Sequence, residues 1–334
     1  MNGEIPKTEK LEEKVFSISN AEMYDSIALE IYHFQYHNNP VYKTYCDLVN
    51  RKRLIEKVAE IPFLPISFFK THNITTTVFD PELVFKSSGT TGMISSNHLV
   101  KHAGIYEESF QTCFKLFYGE AREYCILALL PSYLERGESS LVYMVRHLIG
   151  QSRHPQSNFY LYDLEKLHKT LLQLEADGQK TILIGVTYAL LEFADKFPLP
   201  LNHTLVMETG GMKGKRREIT KAELYKTLQN AFRINKIHSE YGMTELLSQA
   251  YGINGVFHTP PWMKVLLRDE TDPLTLLSPE KPASGAINVI DLANLYSCSF
   301  IATEDIGRSM PDGGFEVLGR MDNTDIRGCS LLAL

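Results

Sequence analysis

The sequence predicts an α/β fold, with mostly parallel sheets flanked by helices and a smaller β-rich subdomain toward the C-terminal side. Three observations carry that prediction. Strand-like apolar runs alternate with helical patterns between residues 82 and 240, as strand–helix–strand units do. After residue 250 the helical periodicity fades, and short β-rich runs are separated by Pro, Gly and Asp. Finally, 334 residues with 44% apolar and 22% charged composition can bury a sizeable soluble core.

The elements follow in chain order. In "NAEMYDSIALEIYHFQYH" apolar residues recur at three- and four-residue spacing, and Pro40 interrupts them, so 1–60 reads as a helical segment packed on the main domain. The run "IPFLPISFFKTHNI" (61–74) is apolar but too Pro-punctuated for a regular helix. Strands are expected at "ELVFK", "EYCILALL", "NFYLYD", "KTILIGV", "HTLVME" and "NKIHS". Between them, helices are expected at about 103–118, 139–150, 164–177, 187–196 and 220–232. The last opens with Thr220 and Glu223, a capping-box spacing. Residues 61–250 form the expected α/β core. Residues 251–334, with "GAINVID" and "FEVLG", form an antiparallel or barrel-like unit ending in a short tail.

Composition narrows the function. A formal net charge of −6 argues against a polyanion-binding surface, so no nucleic-acid partner is expected, and "GKRRE" at 214–218 reads as a solvated turn. The charged N-terminus lacks the apolar stretch of a signal peptide, and no run approaches the roughly 18 apolar residues of a membrane span. Cysteines 46, 113, 125, 298 and 329 form no CxxC pair and are odd in number, which favours reduced thiols in the cytoplasm.

Several chemistries drop out. There is no HExxH, and the alternation of "SNHLVKH" reads as a strand bearing two ordinary histidines, His98 and His102. "GESSL" lacks the final Gly of a nucleophile elbow. "TGGMKGKR" places Thr209 where a Walker A loop needs Gly, and Arg216 where it needs Ser or Thr. Four stretches remain. "SSGTTG" (87–92) could surround a phosphate with hydroxyls and backbone N–H groups, or could be a plain loop. "YGMTE" (241–245) combines an aromatic, a Gly, a hydroxyl and a carboxylate; "ATEDIGR" (302–308) and "LGRMDNTDIRG" (318–328) follow.

In this order the four resemble the motifs of the adenylate-forming superfamily, which activates carboxylic acids with ATP to give acyl-AMP. The segments "LLPSYLERGESSLVYMV", "TGGMKGKRREI", "SEYGMTELLSQAY" and "DIRGCSLL" make the match closer. They resemble the acyl-protein synthetase family, the fatty acid–protein ligases of bacterial luminescence systems and their relatives, over roughly residues 60–332. The resemblance implies ATP and Mg²⁺, a carboxylic and specifically fatty acid substrate, and transfer of the acyl group to a protein thiol. An acyl-donor or acyl-acceptor protein is the implied partner. An acyl- or aryl-CoA ligase, or a nucleotide-binding subunit without catalysis, are the rival readings.

The resemblance also distributes roles. Ser87, Ser88, Gly89, Thr90, Thr91 and Gly92 would wrap the β/γ phosphates, and Gly210 and Gly211 would let backbone approach the adenine. Tyr241 would stack on the adenine, with Gly242 beside it; Thr244 would donate to the α-phosphate and Glu245 would hold Mg²⁺. Asp305 would accept from the ribose, and Arg320 would approach the ribose or phosphates. Tyr133 and Arg136, after the strand "CILALL", are candidates for the acid pocket. Each has a plainer alternative: Tyr241 as a core aromatic, Glu245 as a helix-start residue, Asp305 as a turn former, the glycines as an ordinary turn. Two departures stand out. The phosphate loop runs into "GMISSNH" without the superfamily's usual Lys, and the chain stops at Leu334, where the superfamily continues into a mobile lid with a catalytic Lys. Lys213, Arg320 and Arg327 are the expected substitutes for that charge. Cys329, near the chain end like the family's acyl-accepting cysteine, is the expected acceptor; its alternative is a thiol packed beside Leu331 and Leu332.

Overall fold

Pro40 does not interrupt a helix so much as start one. The N-terminal pattern folds as α1 (Thr8–Phe16), α2 (Ala21–Asn38) and α3 (Pro40–Val49), followed by the single turn α4 (Phe68–Thr71). Asn20 caps α2 by accepting from Met23 N, and Pro40 occupies the first helical position, where its missing N–H costs nothing. The apolar face of α2 buries Ile27, Ile31 and Phe34, and Gln35 donates from its amide to the carbonyls of Asn294 and Leu295. A segment far along the chain is thereby fastened to the N-terminal helices. This computed structural model describes residues 8–49, 54–87, 94–131, 138–210, 219–278 and 282–321.

The alternating stretch forms the parallel half of a large sheet. Strands β4 (Cys125–Leu129), β5 (Asn158–Phe159), β6 (Thr181–Val186), β7 (Thr204–Thr209) and β8 (His238–Tyr241) run in the order β5–β4–β6–β7–β8, all parallel. β4 and β6 are buried along their whole length, as continuous apolar runs between helical layers should be. Helices α5 (Ala103–Tyr118), α6 (Ser140–Ser152), α7 (Leu164–Ala176), α8 (Thr187–Lys196) and α9 (Lys221–Phe232) lie where the periodicity places them. Thr220 and Glu223 make the reciprocal capping-box bonds at the start of α9.

Two readings need correction. "ELVFK" is not part of the alternating series: β2 (Leu83–Lys86) pairs antiparallel with β3 (Asn97–Val100) in a separate two-stranded sheet. "NFYLYD" contributes only the two residues of β5.

From β8 onward the same sheet turns antiparallel, so it is mixed. β9 (Ala250–Ile253) and β10 (Val256–His258) follow β8, then β14 (Phe315–Arg320), β13 (Phe300–Ser309), β12 (Ser284–Asp291) and β11 (Met263–Arg268). A short strand, β1 (Leu64–Pro65), pairs parallel with β13. The sheet therefore brings the C-terminal ends of β7 and β8 near the β13–β14 pair. Among the described residues, no helix is long and apolar enough to cross a membrane.

Candidate active site

β8 ends at Tyr241, and the next eight residues carry the Thr and Glu of "YGMTE" without regular structure. A loop this buried needs partners for its backbone. Asp291, fully buried at the end of β12, supplies them: its carboxylate accepts from Leu247 N (2.7 Å), Ser248 N (2.9 Å) and Ser248 Oγ (2.6 Å). Burial raises its pKa, and these donors oppose the rise. Asn294 holds the other side of the loop, donating from Nδ2 to the carbonyls of Glu245 (2.8 Å) and Cys298 (2.9 Å).

His98 completes the frame. From β3, its Nδ1 lies 2.8 Å from the Thr244 carbonyl and its Nε2 2.9 Å from Asn294 Oδ1. Both neighbours are oxygens that can only accept, the Asn294 nitrogen being committed to two carbonyls, so a neutral imidazole donates its single N–H to one of them. Burial drives the imidazole pKa down to about 4, against both contacts. His98 thus places β3 against the Thr244 carbonyl and the Asn294 side chain. The two ends of the 87–92 stretch are also closed on each other: Ser96 N donates to Ser87 Oγ at 2.8 Å and Ser87 N to the Ser96 carbonyl at 3.1 Å.

Glu245 is 6% exposed. Burial pushes its carboxyl up, while a hydrogen bond from the Ser96 side chain holds it down. No group of three or more His, Cys, Asp or Glu side chains among the described residues could hold a metal unaided. A single buried carboxylate is a donor set that suits Mg²⁺, which takes one or two carboxylates and completes its shell with phosphates and water.

A second cluster sits across the sheet edge. Tyr241 Oη donates to Asp305 Oδ2 at 2.9 Å, and Arg320 Nε lies 3.4 Å from Asp305 Oδ1. Asp305 and Arg320 are register partners between β13 and β14. Asp305 is buried, whereas the Arg320 side chain is 78% exposed, so only the carboxylate is fixed. The Tyr241 ring packs at 5.9 Å from Phe257 and 5.6 Å from Phe315. Gly210, at φ 70°, follows β7 at the same edge, and its carbonyl accepts from Thr187 Oγ1 at 2.7 Å. If this cluster takes the ribose hydroxyls that the sequence resemblance implies, Asp305→Ala should weaken ATP binding by about 1–3 kcal/mol, the scale of hydrogen bonds to a charged group; calorimetric titration with ATP checks it.

Of the residues singled out from sequence, Tyr241, Asp305 and Arg320 meet directly, Gly210 follows the neighbouring strand, Gly242, Thr244 and Glu245 follow Tyr241 in the loop, and Ser87 is bonded to Ser96, whose side chain reaches Glu245. Ser88, Gly89, Thr90, Thr91, Gly92, Tyr133, Arg136, Gly211, Lys213, Arg327 and Cys329 lie outside the described residues. Sequence reasoning missed Ser96, Asp291 and Asn294 and dismissed His98. It also passed over Glu240, whose Oε2 accepts from Thr209 Oγ1 across β7–β8. Burial is the main cause that raises Glu240 to about 7, with the Glu208 charge adding to it.

That shift has a signed consequence. A carboxyl whose folded pKa lies above its unfolded value contributes stability that is present in full below the unfolded value. The contribution is lost as pH rises through the folded one. Between about pH 4.5 and 7, wild type should lose about 3 kcal/mol that Glu240→Gln does not lose. Urea unfolding of both proteins across that range measures the difference.

Comparison with known proteins identifies the family and the fold. The family model described as "Acyl-protein synthetase, LuxE" matches residues 11–333. A long-chain-fatty-acid–luciferin-component ligase of Vibrio harveyi is 24% identical over 327 residues, covering 90% of this chain and 84% of the relative. Among solved structures, an open 2-hydroxyisobutyryl-CoA ligase in complex with 2-HIB-AMP and CoA superposes with a TM-score of 0.63 at 12% identity, over 92% of this chain and 72% of that one. ATP-bound MatB from Rhodopseudomonas palustris gives 0.54 at 16% identity, over 73% of this chain; the match spans only half of MatB. At these identities the structures speak for the fold.

Proposed function

From a chain that belongs to the LuxE acyl-protein synthetase family, and is therefore a ligase, we propose the following reaction: ATP-dependent activation of a fatty acid to acyl-AMP, then transfer of the acyl group to a protein thiol. The observation that carries the reading is the Tyr241–Asp305–Arg320 cluster beside the braced Thr244–Glu245 loop, at the strand ends where open α/β sheets take ligands. Asp305 would accept from the ribose hydroxyls, its orientation set by Tyr241. Thr244 would donate to the α-phosphate, and Ser87 with residues 88–92 would surround the departing pyrophosphate. Glu245 would hold Mg²⁺, which when bound neutralises phosphate charge during attack by the acid. Arg320, exposed and loosely held, would supply positive charge to the phosphates, with Lys213 as a second source. Tyr133 and Arg136 would meet the acid.

The fatty character of the acid is supported by the Vibrio harveyi relative, a long-chain-fatty-acid ligase. For the thiol, Cys46, Cys113, Cys125 and Cys298 are all buried. Burial pushes Cys46 up to about 12 and Cys125 to about 11, and the other two well above the ordinary thiol range. None of the four offers a thiolate, which leaves Cys329 as the proposed acceptor on this chain. Buried reduced thiols also suit the cytoplasm.

The test is incubation with ATP and radiolabelled fatty acid. Wild type should release pyrophosphate and retain a hydroxylamine-labile label; Cys329→Ser should still make acyl-AMP and lose that label. Product release only with CoA would overturn protein-thiol transfer.

A further inference from the structure

The single turn α4 is held against the candidate site from two sides. Just before it, β1 pairs with β13, and Ile66 N donates to the carbonyl of Ala302 at 2.9 Å, on the strand that carries Asp305. Within it, Phe69 is buried, and its ring meets the His98 imidazole edge-on with centroids 5.9 Å apart. His98 in turn lies 2.8 Å from the Thr244 carbonyl. Aromatic contacts fix the rest of the turn: Phe68 stacks on His72 at 5.3 Å and meets Tyr45 edge-on at 5.9 Å.

The residue after Phe69 is Lys70. It is exposed, and among the described residues its ammonium makes no hydrogen bond and no ion pair. Its charge nevertheless reaches the site: burial raises the Glu245 carboxyl, and Lys70 is one of the two cations, with Arg320, that oppose the rise. Arg320 already faces Asp305 at 3.4 Å, and Lys213 and Arg327 lie outside the described residues. An unpaired lysine on an open surface is ordinary. One carried on a turn that is clamped to the loop bearing Glu245 is a placed charge.

We propose that Lys70 is a catalytic residue of the activation step, donating to oxygens of the α-phosphate while the acid attacks. The inference rests on the acid-activation reading above, in which Thr244 donates to the same phosphate. In that step a carboxylate oxygen of the acid bonds to the α-phosphorus as the bond from phosphorus to the bridging oxygen breaks. The electron pair of the broken bond leaves on pyrophosphate. No proton is transferred, so Lys70 stays an ammonium throughout. An anion is attacking a polyanion beside the further negative charge of Glu245, and a fixed cation there lowers the repulsion in the transition state. An ammonium suits the task, since it offers phosphate a compact charge with three donors.

The experiment follows ATP–pyrophosphate exchange with dodecanoic acid, and ATP binding by calorimetry, in wild type, Lys70→Met and Lys70→Arg. Release of AMP from presynthesised dodecanoyl-AMP is followed in parallel. Lys70→Met keeps the stem and removes the charge. It should lower kcat for exchange by about 10–100-fold, less than loss of a buried donor because the ammonium is open to water. ATP affinity should fall less than kcat, and turnover of supplied dodecanoyl-AMP, from which no pyrophosphate leaves, should fall less than exchange. Lys70→Arg should recover part of the exchange. A lysine that only supports the turn would lower both half-reactions alike and would not depend on charge. Exchange by Lys70→Met within about threefold of wild type, or equal losses in the two half-reactions, would overturn the assignment and leave the activation reading standing. Absence of exchange in wild type with fatty acids of every chain length would instead remove the activation reading, and Lys70's part with it.

Discussion

Glu245→Gln is expected to reduce acid-dependent pyrophosphate release by about 10²–10³-fold, the loss that follows removal of a preorganised charge-stabilising group. The substitution keeps shape and can keep a hydrogen bond with Ser96, so the buried side chain should still fit its cavity. What it removes is the negative charge. Because burial already raises this carboxyl toward neutrality, the ionised form is held by few groups, and a bound Mg²⁺ would be the strongest of them. The expected signature is therefore specific: turnover collapses, while the thermal midpoint of the protein without ligand stays the same or rises. Measuring pyrophosphate release across a Mg²⁺ titration decides it. Normal turnover with an unchanged Mg²⁺ dependence would remove Glu245 from the mechanism.

Asp291→Ala should be the most damaging single change to the fold, costing about 3 kcal/mol or more of unfolding free energy. It strands the N–H groups of Leu247 and Ser248 in the interior and frees the Ser248 hydroxyl, which Ser109 and Trp262 also contact. Asp291→Asn retains one carbonyl acceptor and should lose less. Denaturant titrations of both variants give the order. A loss smaller than about 1 kcal/mol for alanine would mean that the loop finds other partners. Since the same loop carries Thr244 and Glu245, activity should fall along with stability.

What was legible in the sequence divides along the distance over which each feature is determined. Helices α5 and α8 begin and end where periodicity puts them, and the Thr220–Glu223 box forms as spaced, because caps and amphipathic faces are decided within a few residues. The motifs proposed for the nucleotide side were singled out for another reason: phosphate and metal chemistry calls for small hydroxyl residues and a carboxylate whatever the fold around them. Pairing was not readable. "ELVFK" has the composition of a strand, but nothing local says that its neighbour is β3 and not β4. His98 was dismissed because alternation identifies a strand without saying what faces it; its partners are 146 and 196 residues away. Asp291 and Asn294 lie in "DLANLYSCS", which carries no pattern at all, and their importance arises only when the sheet closes against the loop. Glu240 looked like one more residue of a strand end until burial made its charge expensive.

The backbone pairing of β14 with β13 bears on the proposed acyl transfer as well. It holds Arg320 opposite Asp305, nine residues before Cys329, the proposed acceptor. Whatever path the intervening residues take, covalent geometry limits the thiol to about 30 Å from Arg320, at ~3.3–3.6 Å per residue. If Cys329 is the acceptor, so short a span would present it to an adenylate on the same chain at an effective concentration on the order of millimolar. Acylation within one molecule should therefore outrun acylation between molecules at ordinary protein concentrations, and its rate should not change when the enzyme is diluted.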